Sequence, residues 1–526
     1  MSLTGSLYLG SIPVTGHGTP LDPVDATTGT TLTPAYRSAT LEDVGRACAL
    51  AAEAAPAFRA ADPEVRAVLL ERIADQVEAL GPALIERAVA ESGLPEARIT
   101  GEVARTTGQL RLFATEVRQG AWAGVRIDPA LPDRVPAPRS DLRQRRIALG
   151  PVAVFCASNF PLAFSVAGGD TAAALAAGCP VVVKGHHAHL GTAELVASAI
   201  AAAVRDSGLH RGVFSLVFGR DEALGQALVT DPRIRAVGFT GSRAGGLALT
   251  RAAAGRPVPV PVYAEMSSVN PVFLLPGALE EDAEGLGRGF AASLTLGAGQ
   301  FCTNPGLLVA VDGPGLDAFT QAADPAVAGA PAQTMLTDTV RCAYEKATAR
   351  TAAAPGVRER ATGAQAAHPR QARAHLYEID AADFLHRPEL AEEMFGAAAL
   401  LVRCTDLAEL HAVAVVLEGQ LTVTLRHGGG DQDTLRALLP VLEDRAGRLL
   451  FTGWPTGVEV GHAIVHGGPY PATSDGRSTS VGTAAIERFL RPVCYQDAPP
   501  GLLPLELVDA NPLGFPRRVD GVADRS

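Results

Sequence analysis

Lysine and asparagine are nearly missing from this chain. Of its 45 basic residues only Lys184 and Lys346 are lysines, and asparagine stands only at Asn159, Asn270, Asn304 and Asn511. A sequence that uses Ala, Arg and Gly wherever it can keeps a lysine where the planar Arg fork will not serve. Lys346, in an ordinary helical stretch, reads as chance survival. Cysteine is scarce too: seven residues, an odd number with no C-x-x-C pair, which fits a reducing cytoplasm and no metal cage. No apolar run reaches bilayer length before Gly, Pro or a charge breaks it. The start shows no basic segment leading into an apolar one. A net charge of −11 argues against nucleic acid or an anionic membrane as partner.

What is present is an ordinary globular composition, 47% apolar and 19% charged over 526 residues, too long for one core and sufficient for two or three domains. Residues 1–35 read as edge strands and loops. Thr40 with Asp43 forms a capping-box pattern, and Asp62-Pro63-Glu64 starts a helix expected to run to about Glu91. A further helix is expected to about Gln119. From Ile147 to Glu265 short β-branched strands alternate with helices, the pattern of a parallel sheet covered on both faces. Such sheets bind ligands at the carboxyl ends of their strands. A second α/β unit follows. Residues 320–380 read as helices and exposed loops, and Ile486–Tyr495 as a last long strand. The run from Arg139 to Arg146 is either a solvated face or a hairpin that meets another subunit.

Several residues stand at strand ends or in Gly- and Pro-bounded loops. Cys302 lies in Gly299-Gln300-Phe301-Cys302-Thr303-Asn304-Pro305-Gly306, either a small buried residue or an exposed nucleophile. Glu265 ends an apolar strand, as an ion-pair member or a tuned base. Asn159 follows a strand, as an oxyanion donor or a helix cap. Gly241, Ser242 and Gly246 form a strand-to-helix turn suited to a phosphate or to tight packing. Lys184 ends a strand and leads into His186, His187 and His189; the histidines lack the neighbours of a metal site.

The order and separation of these motifs resemble the aldehyde dehydrogenase superfamily: Ser158-Asn159-Phe160-Pro161-Leu162, Val182-Val183-Lys184, Phe239-Thr240-Gly241-Ser242, Glu265, Gly299-Gln300-Phe301-Cys302 and Glu392-Glu393-Met394-Phe395-Gly396. Segments such as Leu417–Thr422, Trp454–Val460, Val465–Thr473 and Ile486–Tyr495 are most similar to its 2,5-dioxovalerate (α-ketoglutarate semialdehyde) branch, which some fatty-aldehyde enzymes share. The resemblance implies an α/β fold with a Rossmann-type parallel-sheet cofactor domain (1–122 and 148–265), an α/β catalytic domain (266–475) and a β oligomerisation arm with a C-terminal extension (123–147 and 476–526). It implies oxidation of a small aldehyde, 2,5-dioxopentanoate, to 2-oxoglutarate in a homodimer or homotetramer. Cys302 is then the nucleophile, Glu265 the base and Asn159 the oxyanion donor. Lys184, His186, His187, Arg220, Gly241, Ser242, Gly246, Glu393 and Phe395 face the cofactor, and Phe160, Phe164, Phe301 and Thr303 the substrate. No metal is implied. Two departures stand out. His187 occupies a position where NAD-preferring members carry an acid, which points to NADP over NAD, with His186, His187, Arg220 or Arg243 pairing the 2′-phosphate. Ala397 replaces a common proline. The alternatives are a fatty or other hydrophobic aldehyde as substrate, and an inactive nucleotide-binding or scaffold relative.

Overall fold

Short apolar strands alternate with helices along most of the chain. In the computed structural model, which describes residues 3–524, the longer ones sort into two seven-stranded sheets and one five-stranded sheet. The first sheet runs in the order Val262–Glu265, Ala236–Thr240, Val152–Phe155, Val181–Gly185, Phe214–Phe218, Ser6–Tyr8, Pro13–Thr15. Its first five strands are parallel and the last two are added antiparallel. Val152–Phe155 and Phe214–Phe218 are buried throughout, as a sheet covered on both faces requires. The parallel part starts in the middle at Val152–Phe155 and builds outward both ways, so a crevice opens where the strand order reverses. All five parallel strands deliver a candidate residue to that carboxyl edge: Asn159 beyond Phe155, Lys184, Arg220 beyond Phe218, Gly241 and Glu265.

The second sheet runs Arg358–Thr362, His375–Asp380, Ala398–Cys404, Leu307–Val311, Val272–Leu274, Gln420–Arg426, Ala446–Leu450. One face packs into a cluster with Phe273, Leu400 and Leu425, the other into a cluster with Phe290, Phe319 and Leu308. Cys302 sits on the loop that enters its strand Leu307–Val311.

The third sheet runs Leu490–Gln496, Leu142–Ala148, Val125–Asp128, Arg517–Val519, Val522–Asp524. The arginine run thus lies mostly on a central strand of this sheet. Its charges are met within the chain: Arg143 by Asp141 and Asp509, Arg145 by Glu506, Arg146 by Glu487.

Three sequence expectations change. The helix expected from Pro63 to Glu91 is two helices, Pro63–Glu78 and Pro82–Ser92, because Gly81 takes φ +54° and Pro82 starts afresh. Residues 320–380 contain the strands Arg358–Thr362 and His375–Asp380. Arg358 and Arg360 on the edge strand pair with Glu378 and Asp380, and this charge conceals the strand pattern. Residues Thr483–Phe489 form a 3-10 segment, so the strand expected from Ile486 begins at Leu490, and two short strands, Arg517–Val519 and Val522–Asp524, follow it. Among the described residues no helix is long and apolar enough to cross a membrane.

Candidate active site

The Cys302 loop is held rigidly. Gly299 takes φ +67°, and a Cβ there would lie 2.3 Å from the Ala397 nitrogen, so only glycine fits. Ala397 is itself buried, and its backbone forms the wall that Gly299 meets. Three of the four asparagines hold the loop. Asn270, at φ +48°, donates from Nδ2 to the carbonyls of Cys302 (2.8 Å) and Asn304 (3.0 Å). Asn304 donates to the Gly396 carbonyl at 3.0 Å. Asn159 donates to the Gln300 carbonyl at 3.1 Å; an amide carries two N–H donors, and the second remains for a ligand beside Cys302.

Facing this loop, Glu265 is 3% exposed at the end of its strand. Its carboxylate takes Ser480 Oγ at 2.7 Å and His466 Nε2 at 2.9 Å. His466 Nε2 also lies 3.5 Å from Cys302 Sγ. An ionised carboxylate only accepts, so the 2.9 Å contact requires the proton on Nε2; Nδ1 is buried without a partner. One N–H therefore faces both the carboxylate and the sulfur. Burial raises Glu265, but the charge and hydrogen bond of His466, with hydrogen bonds from Ser480 and Cys302, outweigh it, and the carboxyl ends below its usual range. Burial, then the Glu265 charge, drives the Cys302 thiol well above the usual thiol range. The resting pair is thus a thiol beside a carboxylate. The ligand atoms of Glu265, Cys302 and His466 lie within 4.8 Å of one another, close enough to chelate a cation; the Nε2 proton on Glu265 opposes that.

His466 is the residue that sequence reading missed as a site member. It precedes a Gly-Gly pair and has no spacing relation to Cys302 or Glu265. It arrives because the segment 466–473 zips onto the end of strand Val262–Glu265, with Met266 N donating to the Ala472 carbonyl at 2.8 Å and a bridge from Glu265 to Thr473.

Lys184 is a half-buried ammonium with no hydrogen-bond or ion-pair partner among the described residues, and desolvation lowers its pKa. An orphaned cation at the sheet's carboxyl edge fits a dinucleotide's ribose and phosphates. His186 and His187 stack at 4.4 Å. Burial first, then neighbouring positive charges, lowers both, His187 to about 4, so they meet a ligand uncharged at neutral pH. Arg220 is exposed beside His187, lines a cavity with it and has no hydrogen-bond or ion-pair partner among the described residues. Arg243, by contrast, is taken by Glu418 at 2.9 Å and lies over Tyr470, so it is not free to pair a phosphate.

Ser242 caps the helix Arg243–Ala254, its Oγ accepting from Gly245 N at 3.2 Å. Gly241 keeps the turn open beside Phe239. Gly246 does not line the turn: a Cβ there would strike Met266 Sδ at 2.7 Å. It is buried and lets the helix pack on the sheet, which corrects its assignment to the cofactor. Glu393 is raised to about 8, by burial first and then by the Glu265 charge, against a hydrogen bond from the Ser268 backbone. It is neutral at pH 7 and can donate as well as accept. Phe395 is half-buried next to Gly396.

Phe160, Phe164, Phe301 and Thr303 line one cavity of about 300 Å³ together with Cys302 and His466. The phenylalanines pack edge-on, Phe160 against Phe164 at 5.2 Å and against Phe301 at 5.6 Å. The arrangement supplies a thiol, a proton acceptor and an amide donor at the foot of an apolar pocket, with an unpaired cation at the sheet edge for a dinucleotide.

Comparison with known proteins agrees in kind. A model of the aldehyde dehydrogenase family matches residues 14–364. The chain is 56% identical over 525 residues to alpha-ketoglutaric semialdehyde dehydrogenase 2 of Azospirillum brasilense, covering 100% of both chains. It is 46% identical over 519 residues to alpha-ketoglutaric semialdehyde dehydrogenase of Acinetobacter baylyi, covering 98% of each. Aldehyde dehydrogenase 21 of Physcomitrella patens, solved with the reaction product succinate, superposes with a TM-score of 0.80 at 21% identity, over 95% of this chain and 99% of its own.

Proposed function

The chain belongs to the aldehyde dehydrogenase family, and from that premise we propose that it oxidises 2,5-dioxopentanoate (α-ketoglutarate semialdehyde) to 2-oxoglutarate with NADP+ as its preferred acceptor. The observation that carries the chemistry is the Cys302–His466–Glu265 cluster at the foot of the apolar cavity. The substrate assignment rests on the two full-length relatives of that name.

The Cys302 proton passes to Glu265, and the thiolate accepts from His466 Nε2–H as it forms. Sulfur adds to the aldehyde carbon. The oxyanion is held by the Asn159 amide and the Cys302 backbone N–H. Lys184, the Gly241–Ser242 turn, Glu393 and Phe395 would hold a dinucleotide, which would supply the acceptor for the aldehyde hydride. That leaves a thioester on Cys302. Glu265, once it has given the thiol proton up to solvent, takes a proton from water, the hydroxide adds to the thioester carbon, and the C–S bond breaks to release the carboxylate and restore the thiolate.

The NADP preference rests on His187, which is not itself an anion, and on Arg220, which forms no ion pair among the described residues. Residues 1–122 with 148–265 serve as the cofactor unit, 266–475 as the catalytic unit, and 123–147 with 476–526 as an arm through which a cytoplasmic homodimer or homotetramer assembles. A second reading, a hydrophobic aldehyde, is favoured by the three phenylalanines of the cavity.

Reduced-cofactor absorbance with 2,5-dioxopentanoate against a long-chain aldehyde, with NADP+ and NAD+ in turn, separates these readings, and Cys302→Ala is the control. The expected order is the oxo-acid with NADP+ first. Higher kcat/KM for the long-chain aldehyde establishes the second reading, and no turnover of any aldehyde removes both.

A further inference from the structure

Two guanidinium groups stand in the wall of the aldehyde cavity, and the reaction steps use neither. Both come from the helix Glu96–Gln119. Arg98 and Arg105 are separated by about two helical turns, so they share a face with Glu102 between them. The Arg98 guanidinium lies against two rings set edge-on to each other, 4.4 Å from the Phe160 centroid and 4.5 Å from the Phe301 centroid. That stacking fixes it and keeps its head dry. Glu102 is 3% exposed and largely committed elsewhere. Its Oε1 accepts from the backbone N–H groups of Leu162 (2.9 Å) and Ala163 (3.0 Å), which holds the loop that carries Phe160 and Phe164. Its Oε2 lies 3.4 Å from Arg98 Nη2.

Arg105 lies over the Phe164 ring at 5.7 Å and donates to the Val458 carbonyl. Among the described residues no acid forms an ion pair with it, and its Nε is buried with no acceptor. Glu102 is the first of the charges that act on Arg105, but its Oε1 is committed to the Leu162 and Ala163 N–H groups and its Oε2 lies toward Arg98. Glu459 is exposed on its loop, and Arg448 adds a further positive charge while donating to the carbonyls of Pro455 and Gly457. The charges of Arg105 and Cys302 act on each other, so both face the same small space. The cavity thus combines phenylalanine walls with one partly dehydrated fork that no acid among the described residues pairs directly. A cation left in that condition is stabilised by an anionic ligand.

We propose that Arg105, backed by the Arg98–Glu102 pair, determines specificity by receiving the carboxylate of an oxo-acid aldehyde whose carbonyl reaches Cys302. The proposal rests on the oxo-acid reading of the substrate. It also reconciles the apolar walls with an acidic substrate: the phenylalanines hold the carbon chain and the fork holds its end.

The test compares kcat/KM for 2,5-dioxopentanoate and for pentanal, an uncharged aldehyde of the same length, in wild type, Arg105→Met and Arg105→Lys. Inhibition by 2-oxoglutarate reads binding without turnover. In Arg105→Met the ratio of the two kcat/KM values is expected to fall about 100-fold, the order of one charged hydrogen-bonded pair, mainly through KM for the oxo-acid, and 2-oxoglutarate inhibition weakens in parallel. Arg105→Lys keeps the charge without the fork and falls between. Wild type with no preference for the oxo-acid overturns the substrate and the anchor together. A strong wild-type preference that survives Arg105→Met, with 2-oxoglutarate inhibition intact, overturns the anchor alone. A Met variant that loses both substrates equally, with Lys doing the same, also overturns it, since Arg105 would then only support the fold.

Discussion

Replacing His466 with phenylalanine tests how the thiol is activated. The ring is fully buried and packs 5.9 Å from Phe164, so a phenyl group keeps the shape and removes the one N–H that faces both Glu265 and Cys302. A hydrogen bond to a charged group contributes about 1.5–3 kcal/mol. One N–H serves the two anions in turn, so one such loss applies to the thiolate, or about 10- to 150-fold in thiolate population at fixed pH. Glu265 moves as well. His466 is the first of the influences that lower it, so without His466 burial prevails and its pKa rises. The base form of Glu265 exists above its pKa and is lost as pH falls through it, so the acidic limb of kcat shifts to higher pH. The assay is the rate of Cys302 alkylation by iodoacetamide across pH, beside kcat/KM. Both are expected to drop about 30-fold near pH 7.5, and His466→Gln, whose amide can still donate, recovers part of the loss. Alkylation of His466→Phe at the wild-type rate with an unchanged pH profile would refute the reasoning.

Arg220→Ala is expected to raise KM for NADP+ about 10-fold, the order of one exposed charge-assisted contact, and to leave KM for NAD+ within twofold; equal effects on both cofactors in steady-state kinetics count against a 2′-phosphate contact. Asn159→Ala removes the oxyanion donor and is expected to lower kcat about 10²- to 10³-fold with little change in cofactor affinity, measured by single-turnover formation of reduced cofactor; a loss under threefold leaves the backbone N–H as sole donor. Glu393 keeps its proton to about pH 8 when folded and gives it up in the ordinary carboxylate range when unfolded. The folded state therefore binds more protons between those limits, and stability falls as pH rises through that window and levels off above about 8. Glu393→Gln removes that slope; Tm curves of the same slope in both proteins contradict the burial that sets the shift.

Cys302, Glu265, Asn159 and Lys184 were candidates in the sequence because each stands where a strand ends or in a loop bounded by Gly and Pro; Glu265, Asn159 and Lys184 lie at one edge of the first sheet, and the Cys302 loop, which leads into the second, faces Glu265 there. Their convergence follows from topology that alternation alone implies. His466 was not legible. It is 201 residues from Glu265 and 164 from Cys302, and it meets them only through the register of one segment against a strand end. Gly246 was misread because a glycine in a strand-to-helix turn serves a phosphate or a close helix–sheet contact equally well, and only the neighbouring Met266 decides. The pairing of Arg243 was not legible because its partner, Glu418, lies far along the chain. The strands at Arg358–Thr362 and His375–Asp380 escaped because ion pairs, not apolar alternation, decorate that edge. The scarcity of asparagine carried more than expected: Asn270 and Asn304, given no role beforehand, brace the loop that Asn159 also holds.

The most direct test is to trap the reaction on the sulfur. In Glu265→Gln the water base is gone, but the charge that helps raise Cys302 is gone with it, so the thiolate still forms, slowly. Intact-protein and peptide mass spectrometry after mixing this variant with NADP+ and 2,5-dioxopentanoate is expected to show one oxo-acyl group on the Cys302 peptide for each equivalent of reduced cofactor, with turnover stalled there. Continued turnover at the wild-type rate, or reduced cofactor formed with no adduct on Cys302, would contradict a hydrolysed Cys302 thioester as the centre of the mechanism.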